Sequence, residues 1–186
     1  MRVQNLTEPR IEFVFGQVND QLKGELNTFW KKNDKSYQEE LRLFRSTPGK
    51  KSTNLGPPKR TISRQPAAIS RNQSGSIDGI MFVVLRELDD SLGLGSHAYF
   101  QRMYIIPESR HYGLTNRLFK VFLQGFDCAA EKRDHRAKVL LSENINPALQ
   151  KASMRRYFAR LGFQMLGENR LGGEIWARKL KTIFLF

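Results

Sequence analysis

The alternation of apolar and polar positions divides the 186-residue chain into short strand-like and helix-like stretches. Ile11–Val18 is β-rich with partial alternation and predicts a first strand. Leu22, Leu26, Phe29 and Trp30 then fall at helical spacing, with Asn19 or Asp20 placed to cap the helix. Asn33-Asp34-Lys35 predicts a break, and Ser36 with Glu39 forms a capping box for a second short helix that buries Tyr37, Leu41 and Phe44. Ala67–Arg71 and Ile77–Leu85 read as a hairpin closed by the turn-forming Asn72–Ser76. The unbroken apolar run Ile80–Leu85 predicts a strand covered on both faces. Tyr99–Ile106, rich in aromatic and β-branched residues, is a strand that stops at Pro107. After it, Leu114, Leu118, Phe122 and Phe126 form one helical stripe. Lys138–Ser142 is the next strand. A last helix is capped by Asn146, has Pro147 at its first position and is stopped by Gly162. Gln164–Leu166 and Glu174–Leu180 make a closing hairpin. The tail Thr182–Phe186 is too apolar to face water and is expected to pack on the sheet or on a second copy in a homodimer.

One stretch breaks this rhythm. Residues 45–66 carry Arg45, Lys50, Lys51, Lys59, Arg60 and Arg64, no acid, and many Pro, Gly, Ser and Thr, which predicts a flexible basic loop within a single domain spanning 1–186. Lys50, Lys51, Lys59, Arg60 and Arg64 can grip phosphates or steer an acidic partner. A plain solvated loop accounts for them equally. No aromatic residue is interleaved there, which weakens the case for stacking on single-stranded bases.

Composition sharpens the picture. With 40% hydrophobic and 11% aromatic residues the chain is globular rather than disordered. The net charge of +13 and pI near 10.2 imply a polyanionic partner, nucleic acid or acidic protein, or else a basic surface that is merely solvated. Lys151, Arg155, Arg156 and Arg160 form a second basic stripe, on the last helix. Glu87, Asp89 and Asp90 form an acidic cluster that can meet an acceptor amine or simply be solvated. Cys128, the one cysteine, rules out an intrachain disulfide and is expected to be packed. His97, His111 and His135 lack ligand spacing, so no metal site is expected. No apolar run approaches the ~20 residues that span a bilayer, and none follows a basic start, so a cytoplasmic protein without membrane association is expected.

The chemistry-bearing stretch lies between the Tyr99–Ile106 strand and the following helix. Arg110-His-Tyr-Gly113-Leu-Thr115 is a turn that opens a helix. Its glycine allows close backbone approach, and its first N–H groups lack internal partners at the positive end of the dipole. Such a turn can cradle a phosphate, although by spacing alone an ordinary strand–helix connection explains it as well.

This stretch resembles the cofactor motif of the GNAT acyltransferase superfamily, Gln/Arg-x-x-Gly-x-Gly/Ala, here Arg110-x-x-Gly113-x-Thr115, preceded by Ile105-Ile106-Pro107. Tyr157-Phe-Ala-Arg-Leu-Gly162-Phe163 is similar to the Tyr-x-x-x-Gly-Phe ending of the same family. The resemblance covers about a third of the chain. It implies an α/β (α+β) fold: a central mixed, mostly antiparallel twisted sheet of about six to seven strands flanked by about four helices.

The resemblance also implies acetyl-CoA, or another acyl-CoA, as cofactor. The backbone of Met103, Tyr104 and Ile105 would pair with its pantetheine arm, and Arg110, His111, Tyr112, Gly113, Leu114 and Thr115 would hold its pyrophosphate. Phe158 stands beside the cofactor where many relatives place an acidic tyrosine, with Tyr157 adjacent. The strand positions where relatives carry a glutamate base hold Tyr99 and Gln101; Glu143, at the carboxyl end of the fifth strand, is a candidate base and Tyr157 a candidate acid, and an amine of lowered pKa losing its proton to water is the alternative. The implied reaction is N-acyl transfer to a primary amine of unassigned identity. Two alternatives stand beside it: a catalytically degenerate GNAT-fold protein that binds nucleic acid or an acidic protein, and an N-acyl synthase fed by an acidic acyl carrier protein.

Overall fold

The strands are β1 (Arg10–Phe13), β2 (Thr61–Arg71), β3 (Ile77–Glu87), β4 (His97–Ile105), β5 (Ala137–Asn144), β6 (Gln164–Glu168) and β7 (Glu174–Lys179). The helices are α1 (Asp20–Arg45), α2 (Tyr112–Cys128) and α3 (Ala152–Arg160). These elements come from a computed structural model that describes residues 9–45, 60–89, 92–169 and 172–181. The strands form one sheet in the order β1-β2-β3-β4-β5-β7-β6, antiparallel at every junction except the parallel pair β4–β5. The sheet is mixed, mostly antiparallel and seven-stranded, as the resemblance implies.

The sheet has two apolar faces because β3 is buried throughout Ile80–Leu85. Met81, Val83 and Leu85 face one side, with Leu114, Leu118, Phe122 and Phe126 of α2 packed over them. Ile80, Phe82 and Val84 face the other, covered by Leu22, Leu26, Phe29 and Tyr37 of α1. On that second face Phe29, Trp30, Tyr37, Phe82 and Tyr104 form an aromatic nest with ring centroids 5.2–6.2 Å apart. The α2 face carries a second aromatic cluster, in which Phe158 stacks on Trp176 and meets Phe119 and Phe163 edge-on.

Several expectations are corrected. The two N-terminal helices are one, so three α-helices are present among the described residues instead of about four. Asn19 Oδ1 accepts the Leu22 N–H and caps α1, while Asn33 Nδ2 donates to the Phe29 carbonyl without interrupting the helix. Leu22, Leu26, Phe29, Tyr37 and Leu41 lie on one face across the expected break, and burying that stripe outweighs the weak helix propensity of Asn and Asp.

The first strand ends at Phe13 because Gly16 turns the chain at φ +67. Part of the basic loop is strand: β2 begins at Thr61 and pairs with β3, and a register shift after Pro66 accommodates the missing N–H. Arg64 therefore sits on a strand with its guanidinium 5.5 Å from the Phe82 ring. Arg60 is exposed, and its carbonyl accepts the Glu87 N–H at 2.9 Å. Lys50 and Lys51, with Lys59, lie outside the described residues, as do Asp90 and the tail Thr182–Phe186. Asn146 and Pro147 open a short 3-10 turn, Pro147–Gln150, and extended Lys151 separates it from α3. Cys128 is exposed, at the solvent end of α2.

Two glycines give opposite packing tests. A Cβ on Gly125 would lie 2.3 Å from the Phe13 ring, whereas one on Gly24 in α1 would meet nothing within 4 Å. Gly125→Ala is expected to destabilise the fold by about 1–3 kcal/mol through overpacking. Gly24→Ala is expected to stabilise it by about 1 kcal/mol through helix propensity. Urea unfolding of both variants beside the parent chain measures the two signs.

Candidate active site

The centre of the sheet is where backbone hydrogen bonding changes hands. Ile106 donates its N–H to the Asp78 carbonyl at 2.9 Å, so in the antiparallel β3–β4 ladder Arg102 and Tyr104 also turn their peptide groups toward β3. Gln101, Met103 and Ile105 turn theirs the other way, toward β5. The parallel pairing with β5 runs from His97↔Ala137 to Gln101↔Ser142 and ends there. Beyond that rung β5 has turned away to pair with β7 through Asn144↔Glu174. Met103 and Ile105 are left with backbone groups facing a gap between parting strands. That gap leads directly to the turn before α2.

The sheet faces assign the side chains around the gap. At the last rung, on the α2 face, Gln101 Nε2 donates to Ser142 Oγ at 2.6 Å, and Ser142 Oγ donates to Asn144 Oδ1 at 3.2 Å. Arg102 lies on the α1 face, with its guanidinium 2.5 Å from Glu143 Oε2. The other Glu143 oxygen accepts from Asn169 Nδ2. Glu143 is half-buried, and both of its oxygens are engaged. Glu87 and Asp89 sit at the opposite end of β4, where Glu87 pairs with His97, away from the gap.

The turn differs in detail from a bare anion cradle. After a short 3-10 turn at Pro107–Ser109, Arg110 and His111 are extended, and His111 is the N-cap of α2. Its Nδ1 accepts the Leu114 N–H at 3.2 Å, while its carbonyl accepts from the Thr115 N–H and Oγ1, both at 3.1 Å. The amides of Tyr112 and Gly113 remain as first-turn donors without an intrahelical acceptor. Gly113 makes room for the cap, because a Cβ there would lie 3.3 Å from His111 Nδ1. Arg110 folds back, with Nε donating to the Ile105 carbonyl at 2.7 Å and the guanidinium pairing with Glu40 of α1 at 2.6 Å. Its cation stands 5.5 Å from the Tyr104 ring. The free strand edge therefore comprises the Met103 N–H and C=O and the Ile105 N–H.

The remaining predicted site residues divide between the cleft and the core. Tyr157 of α3 donates its hydroxyl to Asn116 Oδ1 of α2 at 2.8 Å, and burial pushes its pKa up to about 12, with Tyr112 adding to the shift. Phe158 is a core residue, 5% exposed. Met103 and Ile105 pack on the α2 side, whereas Tyr104 is buried in the aromatic nest of the α1 side. Tyr112 is exposed and Leu114 is buried. The structure adds Gln101, Arg102, Ser142, Asn144 and Asn169 to the gap. The sequence signal for them is the polar triplet Ser142-Glu-Asn144 closing an otherwise apolar strand. Among the described residues no group of three or more His, Cys, Asp or Glu could hold a metal ion, and no helix is long and apolar enough to cross a membrane.

No family model matches the chain, and no curated protein matches it. Several solved structures are similar. An acetyltransferase of the GNAT family from Staphylococcus aureus Mu50 is 14% identical, with a TM-score of 0.46, over 94% of this chain and 100% of that one. A GNAT superfamily phosphinothricin acetyltransferase from Sinorhizobium meliloti, in complex with AcCoA, is 14% identical over 61% of this chain and 60% of its own, with a TM-score of 0.43. A nourseothricin acetyltransferase is 17% identical over 63% and 66%, with a TM-score of 0.37. These likenesses are distant, and the chemistry of the chain has to be read from its own cleft.

Proposed function

We propose that the protein is an acyl-CoA-dependent N-acyltransferase, with acetyl-CoA as donor and a primary amine as acceptor. The observation that carries this reading is the unpaired β4 edge at Met103 and Ile105, running into the α2 N-terminus. Such an edge accepts an extended amide-bearing chain as an added strand. The first-turn amides of Tyr112 and Gly113, at the positive end of α2, suit the phosphates that follow. Arg110 supplies a cation beside them once it exchanges Glu40 for phosphate.

The cofactor supplies an activated acyl carbon. The amine nitrogen bonds to that carbon, the carbon–sulfur bond breaks, one amine proton leaves and the sulfur takes up a proton. Glu143 is paired with Arg102 on the α1 side of the sheet and Tyr157 packs against the α2-side core, which suits separate duties. On the α1 face, Glu143 would draw the amine and accept its proton. On the α2 face, Tyr157 would protonate the departing sulfur. Burial raises the Tyr157 pKa to about 12, which keeps the hydroxyl protonated and makes it a weaker acid than a free phenol.

A second reading, a GNAT-fold protein that binds a polyanion without catalysis, is favoured by the inward commitments of Arg110, His111 and Glu143. The exposed cations Lys151, Arg156 and Arg160 on and before α3 favour it too. Retention on DNA or RNA that falls steeply with salt, with no acyl transfer to an amine panel, would select it.

Calorimetric titration with acetyl-CoA tests the first reading. Saturable one-to-one binding is expected, and no heat or thermal shift at millimolar cofactor overturns it. Arg110→Ala should weaken binding about tenfold, and Glu40→Gln, which releases Arg110, should strengthen it.

Tyr157 has its own signature. Its folded pKa is raised from 10.0 to about 12, so its stabilising contribution is full below pH 10 and is lost as pH rises toward 12. Ultraviolet titration of Tyr157→Phe should delete a late-titrating phenol. A Tyr157 that ionises near pH 10 would contradict the burial described.

A further inference from the structure

At the closed end of the gap one buried donor has nothing to donate to. Asn144 is 2% exposed, and among the described residues its Nδ2 has no hydrogen-bond partner. The chain of hydrogen bonds starts at Gln101. Ser142 Oγ accepts from Gln101 Nε2 at 2.6 Å, so its own proton goes to Asn144 Oδ1, leaving Nδ2 as the free end of the chain of bonds. Backbone pairing holds Asn144 from the other side through Glu174 on β7. Glu174 is itself occupied, with Oε1 accepting from Arg155 Nε at 2.7 Å and Oε2 from Trp176 Nε1 at 3.0 Å. A buried amide donor left unpaired costs free energy unless an acceptor arrives, so such an atom beside an open strand edge marks a ligand contact.

Register says which part of the ligand. Gln101 and Ser142 form the last β4–β5 rung, and two residues further along each strand Met103 and Asn144 would be opposite had the ladder continued. The first free backbone groups of β4 and the free amide of Asn144 thus flank the same deepest position of the gap. An extended acyl thioester entering from the α2 turn reaches this position with its carbonyl end.

Resting on the acyltransferase reading, we infer that Asn144 Nδ2 donates a hydrogen bond to the thioester carbonyl oxygen. It would hold that oxygen in the bound donor and stabilise the negative charge it gathers as the amine adds. Gln101 and Ser142 act through Asn144 and are positioning residues. Tyr104 OH in the aromatic nest, His97 Nε2 at the start of β4 and Arg133 Nη1 beside the Phe126 ring, also buried without a partner among the described residues, do not lie at this position.

The test compares acetyl-CoA with free CoA, which lacks only the acyl group. Calorimetry of the full chain is expected to show acetyl-CoA preferred about tenfold. Asn144→Asp, isosteric and still able to accept from Ser142, and Asn144→Ala should both abolish that preference while leaving CoA affinity unchanged. Their kcat should fall about a hundredfold with little change in the KM of the amine. Circular dichroism checks that both variants are folded. Equal weakening of CoA and acetyl-CoA would place the contact on the pantetheine amide and overturn the thioester assignment. An intact preference in both folded variants would overturn any contact. Parental failure to bind either compound would instead overturn the acyltransferase reading on which this inference rests.

Discussion

The organisation of this protein depends on one rung of parallel pairing, Gln101 opposite Ser142. Up to that rung every β4 peptide group has a strand neighbour on both sides. Past it, β5 keeps its partner on the β7 side and loses the one on the β4 side, because Glu143 and Asn144 continue to pair with Ile175 and Glu174. Backbone donors and acceptors removed from water must find partners. The parting of the strands therefore creates a strip with a definite chemical demand.

The fold meets part of that demand itself. Arg110 covers the Ile105 carbonyl and is held in turn by Glu40. His111 covers the Leu114 amide. Arg102 and Glu143 bridge the apex on one face, and Gln101 and Ser142 bridge it on the other. The cleft is closed by side chains that can change partners, not by strand pairing that cannot. An arriving ligand would exchange hydrogen bonds with Arg110 and His111 rather than break a ladder.

The packing of the two faces explains how so open a seam is tolerated. The aromatic nest under α1 and the aromatic cluster between α2, α3 and β7 clamp the sheet on either side of the gap. Arg178 adds a bidentate pair with Asp127, at 2.6 and 2.7 Å, tying α2 to β7. These contacts bridge the two half-sheets without passing through the seam. Local opening there is thereby separated from the stability of the core.

Residue order alone was enough for the elements whose burial pattern is local. The stripe of Leu114, Leu118, Phe122 and Phe126, the doubly covered run Ile80–Leu85, and the stop at Gly162 with φ +82 each follow from spacing or backbone freedom over a few residues. The Arg110–Thr115 turn was legible as a helix start for the same reason. Long-range packing settled that α1 runs through Asn33, since the contacts that hold it come from Phe82 and Tyr104 on distant strands. It likewise decided that Gly113 accommodates the His111 ring, that Arg110 answers to Glu40, and that the β4–β5 pairing stops one rung short of Met103 and Asn144. Each of these joins residues remote in sequence, through a register that no local pattern encodes.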